Sequence, residues 1–163
     1  MSAAQDASGI AVRVFDWVGL AARLFLGYTF ITAGLDKLPH ESTTQEAVFG
    51  YQLLPGSWLH AYAATLPAVE LVLGIALVLG IFTRSVAVLL ALGLCSFLMG
   101  ISSAWQRGLS IDCGCFGGAG STTNPHYLEH IFRDSGYLAL AVLLIVLRHT
   151  AVAASTYLFG RRS

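Results

Sequence analysis

The sequence predicts an all-α integral membrane protein: a bundle of four transmembrane helices with the N and C termini in the cytoplasm. The chain of 163 residues is 56 % hydrophobic and only 11 % charged, and its mean hydropathy is +0.71. A water-soluble domain needs more charge to cover its surface, whereas apolar segments long enough to cross a bilayer fill most of this chain. The formal net charge is zero, so nothing points to nucleic acid, and the expected partner is the lipid bilayer.

A single domain is predicted over residues 1–160, with helices at about residues 17–35, 61–82, 86–105 and 132–155. The first helix begins at Trp17, a typical interfacial residue, and ends before Asp36, Lys37 and Pro39. Its only internal charge is Arg23. It is too long for the apolar part of a signal peptide, and no small-residue cleavage site follows it, so we expect it to be retained.

The second and third helices are separated by the short segment Thr83–Ser85, so they must be antiparallel neighbours. The second follows the interfacial residue Trp58 and contains Pro67 and Glu70, whereas the third is uncharged throughout. These two helices therefore form a hairpin in the predicted bundle.

The fourth helix and the two long connections are less sharply bounded. Ser135–Leu147 is too short to cross a bilayer alone, so the helix extends either upstream through Ile131 or past Arg148. Residues 40–57 predict a loop with a short interfacial piece. Residues 106–134 hold most of the polar chemistry and form a predicted redox loop.

The orientation follows from the basic residues that flank the spans. With the N terminus inside, the outer face receives Lys37, Arg107 and Arg133. The cytoplasmic face then receives a larger set: Arg13, Arg84, Arg148, Arg161 and Arg162. This bias predicts a multi-pass protein of the plasma membrane whose 106–134 loop is extracytoplasmic.

The most informative run is Asp112-Cys113-Gly114-Cys115, in the redox loop. A disulfide between residues two apart closes a very small ring, and the intervening glycine relieves crowding. Strain raises the reduction potential, so such a bond suits a disulfide that is repeatedly made and broken, and an oxidising compartment lets it persist. Cys113 and Cys115 are the candidate catalytic residues. Asp112 is a candidate proton acceptor during exchange, with a turn-forming role as the alternative.

Two other interpretations of the cysteines stay open. Cys113, Cys115, His126 and His130 form a C-x-C-x10-H-x3-H pattern that could supply four ligands to zinc or copper(I). Structural zinc sites usually place at least two residues between the cysteines, and the pair could also form a purely structural bond. Cys95, near the middle of the third helix, is expected to be a small apolar packing residue rather than a redox relay.

Arg23 and Glu70 are charges inside predicted spans, where an unpaired charge costs at least about 2.5 kcal/mol. Their estimated depths place them close enough to pair across the interface between helices one and two. The pair is either a site for a quinone headgroup or protons, or a structural ion pair. Pro67, three residues before Glu70, would open the backbone hydrogen-bond ladder and suits both roles.

Several short motifs, spread over roughly residues 15–150, resemble those of a known protein family. The features that carry the resemblance are Arg23 with Gly27, Ala33-Gly34-Leu35-Asp36-Lys37-Leu38, Tyr51-Gln52-Leu53-Leu54-Pro55, Leu66-Pro67 with Glu70, Gly74, Gly80 and Arg84, and Asp112-Cys113-Gly114-Cys115-Phe116-Gly117. The chain resembles the MauE branch of the DoxX-like family of redox-associated membrane proteins. The resemblance implies a four-helix bundle in a bacterial plasma membrane that works with an extracytoplasmic thioredoxin-like protein. It also implies a quinone as the candidate electron acceptor and a link to maturation of methylamine dehydrogenase.

The leading hypothesis is a thiol-disulfide oxidoreductase component in which Cys113 and Cys115 exchange a disulfide with the partner. One rival is a non-enzymatic accessory or maturation subunit of a respiratory or dehydrogenase complex, with a structural cysteine pair. The second rival is a metal-binding membrane protein that uses the cysteines and the two histidines.

Overall fold

The computed structural model describes residues 2–39, 41–52, 56–109 and 127–147. All regular structure in these ranges is helical, which confirms the predicted all-α class for this part of the chain. The five helices are α1 (Ser2–Lys37), α2 (Glu41–Gly50), α3 (Gly56–Leu79), α4 (Thr83–Gln106) and α5 (Tyr127–Val146).

Three helical segments are long and apolar enough to cross a bilayer: Val14–Lys37, His60–Leu79 and Thr83–Gln106. The chain is therefore a multi-pass membrane protein. Helix α5 has 20 residues, a length of about 30 Å, but its first half carries Glu129, Arg133 and Asp134. A fourth crossing by α5 and the cytoplasmic position of the termini stay predictions.

The helix boundaries differ from the expected ones. Helix α3 ends at Leu79 and α4 begins at Thr83, so the hairpin connection is residues 80–82 and not Thr83–Ser85, because Gly80 ends α3 early. Helix α5 begins at Tyr127, so it extends upstream through Ile131, and residues 148–163 lie outside the described ranges. Helix α1 continues through Lys37 instead of ending at residue 35. The polar 40–57 connection contains the short helix α2, at the place where the sequence predicts a short interfacial piece.

The four long helices form a closed bundle. Helix α1 packs on α3 and α5, and α4 packs on α5 and α3, while the short α2 lies against α3. The apolar core between them is built from buried side chains of all four helices: Ala22, Leu26, Phe30, Leu77, Val86, Ala87, Leu90, Leu94, Ala141 and Leu144. In this ring α3 and α4 are neighbours, as the short connection between them predicts.

Helices α1 and α3 are antiparallel and approach each other backbone to backbone. A Cβ atom on Gly34 would lie 2.8 Å from the Pro67 carbonyl oxygen, and one on Gly74 would lie 2.9 Å from the Gly27 carbonyl oxygen. Real Cβ atoms do not come this close to backbone oxygens, so only glycine fits at these positions. The close approach fixes the register in which Gly27 faces Gly74 and Gly34 faces Pro67.

Two glycines end helices with the same motif. Gly80 has φ 70° and Gly108 has φ 65°, a conformation that costs glycine no steric penalty. After α3, the Gly80 and Ile81 amides donate to the Leu77 and Ala76 carbonyls. This is a Schellman motif, and Gly108 repeats it at the end of α4. The first turn makes the α3–α4 hairpin, and the second directs the chain into the redox loop.

Candidate functional site

The cysteine motif lies outside the described residues. Asp112, Cys113, Cys115 and His126 all fall in the gap 110–126, and of the possible metal ligands only His130, on α5, is described. Within the described ranges no group of His, Cys, Asp and Glu side chains could hold a metal ion. Cys95 on α4 is a half-buried free thiol.

The two described residues that flank the gap 110–126 are joined to each other. The Tyr127 hydroxyl, at the start of α5, donates a hydrogen bond to the carbonyl of Leu109, the last described residue before the gap. The Tyr127 ring also stacks on Trp105, with the ring centroids 6.4 Å apart. The loop that carries Cys113 and Cys115 therefore starts and finishes at one place on the bundle.

Arg107 ties this place to the segment after α2. Its Nη2 donates to the Tyr51 carbonyl at 2.5 Å, and its Nε donates to the Ser103 carbonyl at 3.2 Å. Beneath them Ile101 is fully buried against Tyr51, Phe97, Tyr127 and Ile131. We call this set the loop neck: Tyr51, Ile101, Trp105, Arg107, Leu109 and Tyr127.

The expected ion pair between Arg23 and Glu70 is wrong. Gly27 faces Gly74 in the register of α1 on α3, so Arg23, four residues before Gly27 on the antiparallel α1, lies about 12 Å along the bundle from Glu70. Helical side chains also lean toward the N terminus of their own helix, so in an antiparallel pair Arg23 and Glu70 lean away from each other. Arg23 is 2 % exposed and lies at a different level of the bundle.

The partner of Glu70 is Lys37. The Lys37 Nζ lies 2.6 Å from Oε1 and 2.7 Å from Oε2 of Glu70, and both side chains are buried. Each side chain leans toward the N terminus of its own helix. Because α1 and α3 are antiparallel, these two directions bring Lys37 and Glu70 together. The Lys37 Nζ also lies 5.8 Å from the centre of the Phe97 ring, within the range of a cation–π contact.

A second buried carboxylate, Asp134 on α5, lines the same cavity as Glu70. Asp134 is 2 % exposed, and its Oδ1 lies 3.1 Å from the Nε of the neighbouring Arg133. The other lining residues come from α1, α4 and α5: Thr29, Phe30, Ala33, Leu94, Phe97 and Tyr137. Sequence reasoning missed this role of Asp134 because it placed the residue in the redox loop. The signal was available in the helical spacing of Asp134, Ala141 and Leu144.

A quinone headgroup does not fit this cavity. Its volume is about 20 Å³, enough for about one water molecule, whereas a cavity that binds benzene measures about 150 Å³. Arg23 and Glu70, the residues expected to bind the quinone, also lie at different levels of the bundle.

Two comparisons with known proteins identify the same family. The model of the family described as "Methylamine utilisation protein MauE" matches residues 15–147. The chain is also similar to "Methylamine utilization protein MauE" of Paracoccus denitrificans, with 34 % identity over 136 residues that cover 83 % of this chain and 72 % of the relative. No solved structure matches the chain significantly.

Proposed function

Since the chain belongs to the family of the methylamine utilisation protein MauE, we propose that it is a membrane accessory protein of methylamine utilisation that exchanges a disulfide through Cys113 and Cys115. The exchange partner is a thioredoxin-like protein outside the cytoplasm. The observation that carries the proposal is the Cys-Gly-Cys motif in a loop whose two ends are joined by the loop neck.

The neck supports this function physically. Tyr127 and Leu109 limit the space that the loop can sample, and Arg107 connects it to the segment after α2. Cys113 is four residues from Leu109, so an extended chain carries its Cα at most about 14 Å from the neck. A reactive pair on such a short tether stays close to the bundle surface.

The exchange balances without another reactant. The thiolate of one cysteine attacks the partner's disulfide, so a mixed disulfide forms and a partner thiolate leaves. The second cysteine of the pair then attacks the mixed disulfide, which completes the Cys113–Cys115 bond and releases the partner with two thiols. The reverse sequence reduces the pair. Asp112 accepts the proton of the attacking thiol in this proposal.

The test is thiol labelling of intact cells with a membrane-impermeant maleimide, in a Cys95→Ser background that removes the third cysteine. Labelling of Cys113 and Cys115 that appears only after mild reduction supports a reversible disulfide outside the cytoplasm. In the same background, Cys113→Ser or Cys115→Ser should trap a mixed disulfide with a co-expressed thioredoxin-like protein, because the resolving thiol is missing.

Other results would replace the proposal with one of its rivals. No trapped adduct, together with co-purification in fixed stoichiometry with a larger complex and tolerance of Cys113→Ala, would favour the accessory subunit. Metal that co-purifies and is lost with Cys113→Ser or His126→Ala would favour the metal-binding protein. No labelling under any condition would overturn the extracytoplasmic position of the loop.

A further inference from the structure

An open recess lies at the end of α4, where the apolar span Thr83–Gln106 finishes. Its volume is about 360 Å³, and the side chains that line it are Ser102, Trp105 and Gln106. Sites for small organic ligands typically measure about 300–1,000 Å³. This recess, which we call the α4 recess, is therefore large enough for a ligand, unlike the cavity beside Glu70.

The three lining side chains all carry a hydrogen-bond donor: a hydroxyl on Ser102, an indole N–H on Trp105 and a carboxamide on Gln106. Within the part of the chain that the structure describes, none of these donors makes a hydrogen bond. Ser96, six residues earlier on α4, differs because its hydroxyl donates to the Leu92 carbonyl at 3.0 Å. The α4 recess therefore offers three donors to a ligand that accepts hydrogen bonds.

Toward the middle of the span, the face of α4 below the recess is apolar. Met99 precedes Ser102 by three residues, and Leu92 and Val88 continue at spacings of seven and four residues, so they lie on one side of the helix. These three side chains, which we call the α4 column, are 66 %, 60 % and 39 % exposed. On a membrane-spanning helix, such an exposed apolar face contacts the acyl chains of lipids.

We propose that the α4 recess binds the headgroup of one phospholipid, with an acyl chain of that lipid along the α4 column. The phosphate oxygens accept hydrogen bonds from Ser102, Trp105 and Gln106. Tryptophan is typical of this depth, where the hydrocarbon core of a bilayer meets the polar headgroups. The site does not depend on the thiol exchange of Cys113 and Cys115, so the two proposals stand or fall separately.

The charge next to the recess suits a phosphate. Arg107 follows Gln106 directly and is exposed, and its described hydrogen bonds go to the neutral carbonyls of Ser103 and Tyr51. Among the described residues no carboxylate neutralises it. The C-terminal end of a helix carries partial negative charge, which this guanidinium offsets. The phosphate, rather than a cationic part of the headgroup, is therefore the group that the recess binds.

The site is tested by counting the phospholipid that stays bound to the full-length protein. The protein is reconstituted into vesicles of phosphatidylglycerol and phosphatidylcholine, extracted in a mild detergent and washed, and the phosphorus per chain is then measured. We expect one bound phospholipid per native chain. The double variant Ser102→Ala, Gln106→Ala should retain at least about tenfold less, because each hydrogen bond to a charged group contributes roughly that factor.

Ser96→Ala is the matched control. It removes a hydroxyl from an exposed position of the same helix, but that hydroxyl is already bonded to the Leu92 carbonyl. This variant should therefore retain as much phospholipid as the native protein. Ser102→Leu, which puts an apolar side chain into the recess, should displace the lipid and serves as the second variant should the double variant fold poorly.

Three results would overturn the proposal. The first is a native protein that retains no phospholipid. The second is equal retention by the native protein, the double variant and Ser102→Leu, which would place the bound lipid elsewhere on the bundle. The third is a native dimer that retains no phospholipid and that Ser102→Leu dissociates, since the recess would then be filled by a second copy of the chain.

Discussion

The α1–α3 interface and the α4–α5 pair are built on different principles. Helices α1 and α3 touch through the backbone at Gly34 and Gly74, where an added Cβ would collide with carbonyl oxygens, and at Gly27, where it would collide with Cγ2 of Val78. On α4 and α5, an added Cβ on Gly93 or Gly136 would meet nothing within 4 Å. The same residue type is thus a packing requirement on one side of the bundle and a replaceable residue on the other.

The polar contacts differ in the same way. Lys37 and Glu70 form a buried ion pair between α1 and α3. The loop neck instead uses hydrogen bonds to backbone carbonyls, from Tyr127 to Leu109 and from Arg107 to Tyr51. The buried ion pair thus lies on one side of the bundle, and the residues that flank the gap 110–126 lie on the other. Stability should depend mainly on the first side, and thiol reactivity mainly on the second.

Among the variants that test this difference between the two sides, Lys37→Met should have the largest effect on stability. The change leaves Glu70 buried without its cation, so the free energy of unfolding in detergent should fall by about 3–5 kcal/mol. The double variant Lys37→Met, Glu70→Met should recover most of this loss, because it removes both charges. Glu46→Gln, at an exposed site, should change stability by less than about 0.5 kcal/mol. A Lys37→Met protein as stable as the native one would contradict the paired geometry.

A smaller effect is expected from alanine at the close-contact glycines. Gly34→Ala and Gly74→Ala should each lower the free energy of unfolding by about 1–3 kcal/mol, because the backbone must shift to admit the methyl group. Gly93→Ala and Gly136→Ala are the matched controls, and they should be neutral or stabilising by up to about 1 kcal/mol, since alanine favours the helix. Equal effects at all four positions would remove the difference between the two sides.

The smallest effect on stability, and a clear one on reactivity, is expected from Tyr127→Phe. The variant keeps the ring stacked on Trp105 but loses the hydrogen bond to Leu109, at a cost of about 0.5–1.5 kcal/mol. The rate of maleimide labelling of reduced Cys113 should rise, because the loop is less restrained. Tyr28→Phe, at an exposed tyrosine of α1, should leave this rate unchanged. An unchanged rate in both variants would show that the neck does not control the loop.

The expected ion pair failed for a reason that one sequence could not reveal. The sequence predicts that α1 ends before Lys37, which leaves Arg23 as the only basic residue inside the predicted first span. The Gly34–Pro67 contact sets the register of the two helices, and that register brings Lys37, not Arg23, to Glu70. Asp134 was missed for a related reason, because helix α5 begins at Tyr127 and carries the aspartate into the bundle.

The sequence by itself determined the helical class, the apolar spans, the short hairpin connection and the family, because hydropathy and close-spaced motifs such as Cys-Gly-Cys are local properties of a chain. Only the tertiary structure decided which buried charges meet, which glycines are required and where the ends of the redox loop are fixed. These depend on the register and lean of side chains on helices far apart in sequence, and a displacement of one helical turn, about 5.4 Å, would give every buried charge a different neighbour.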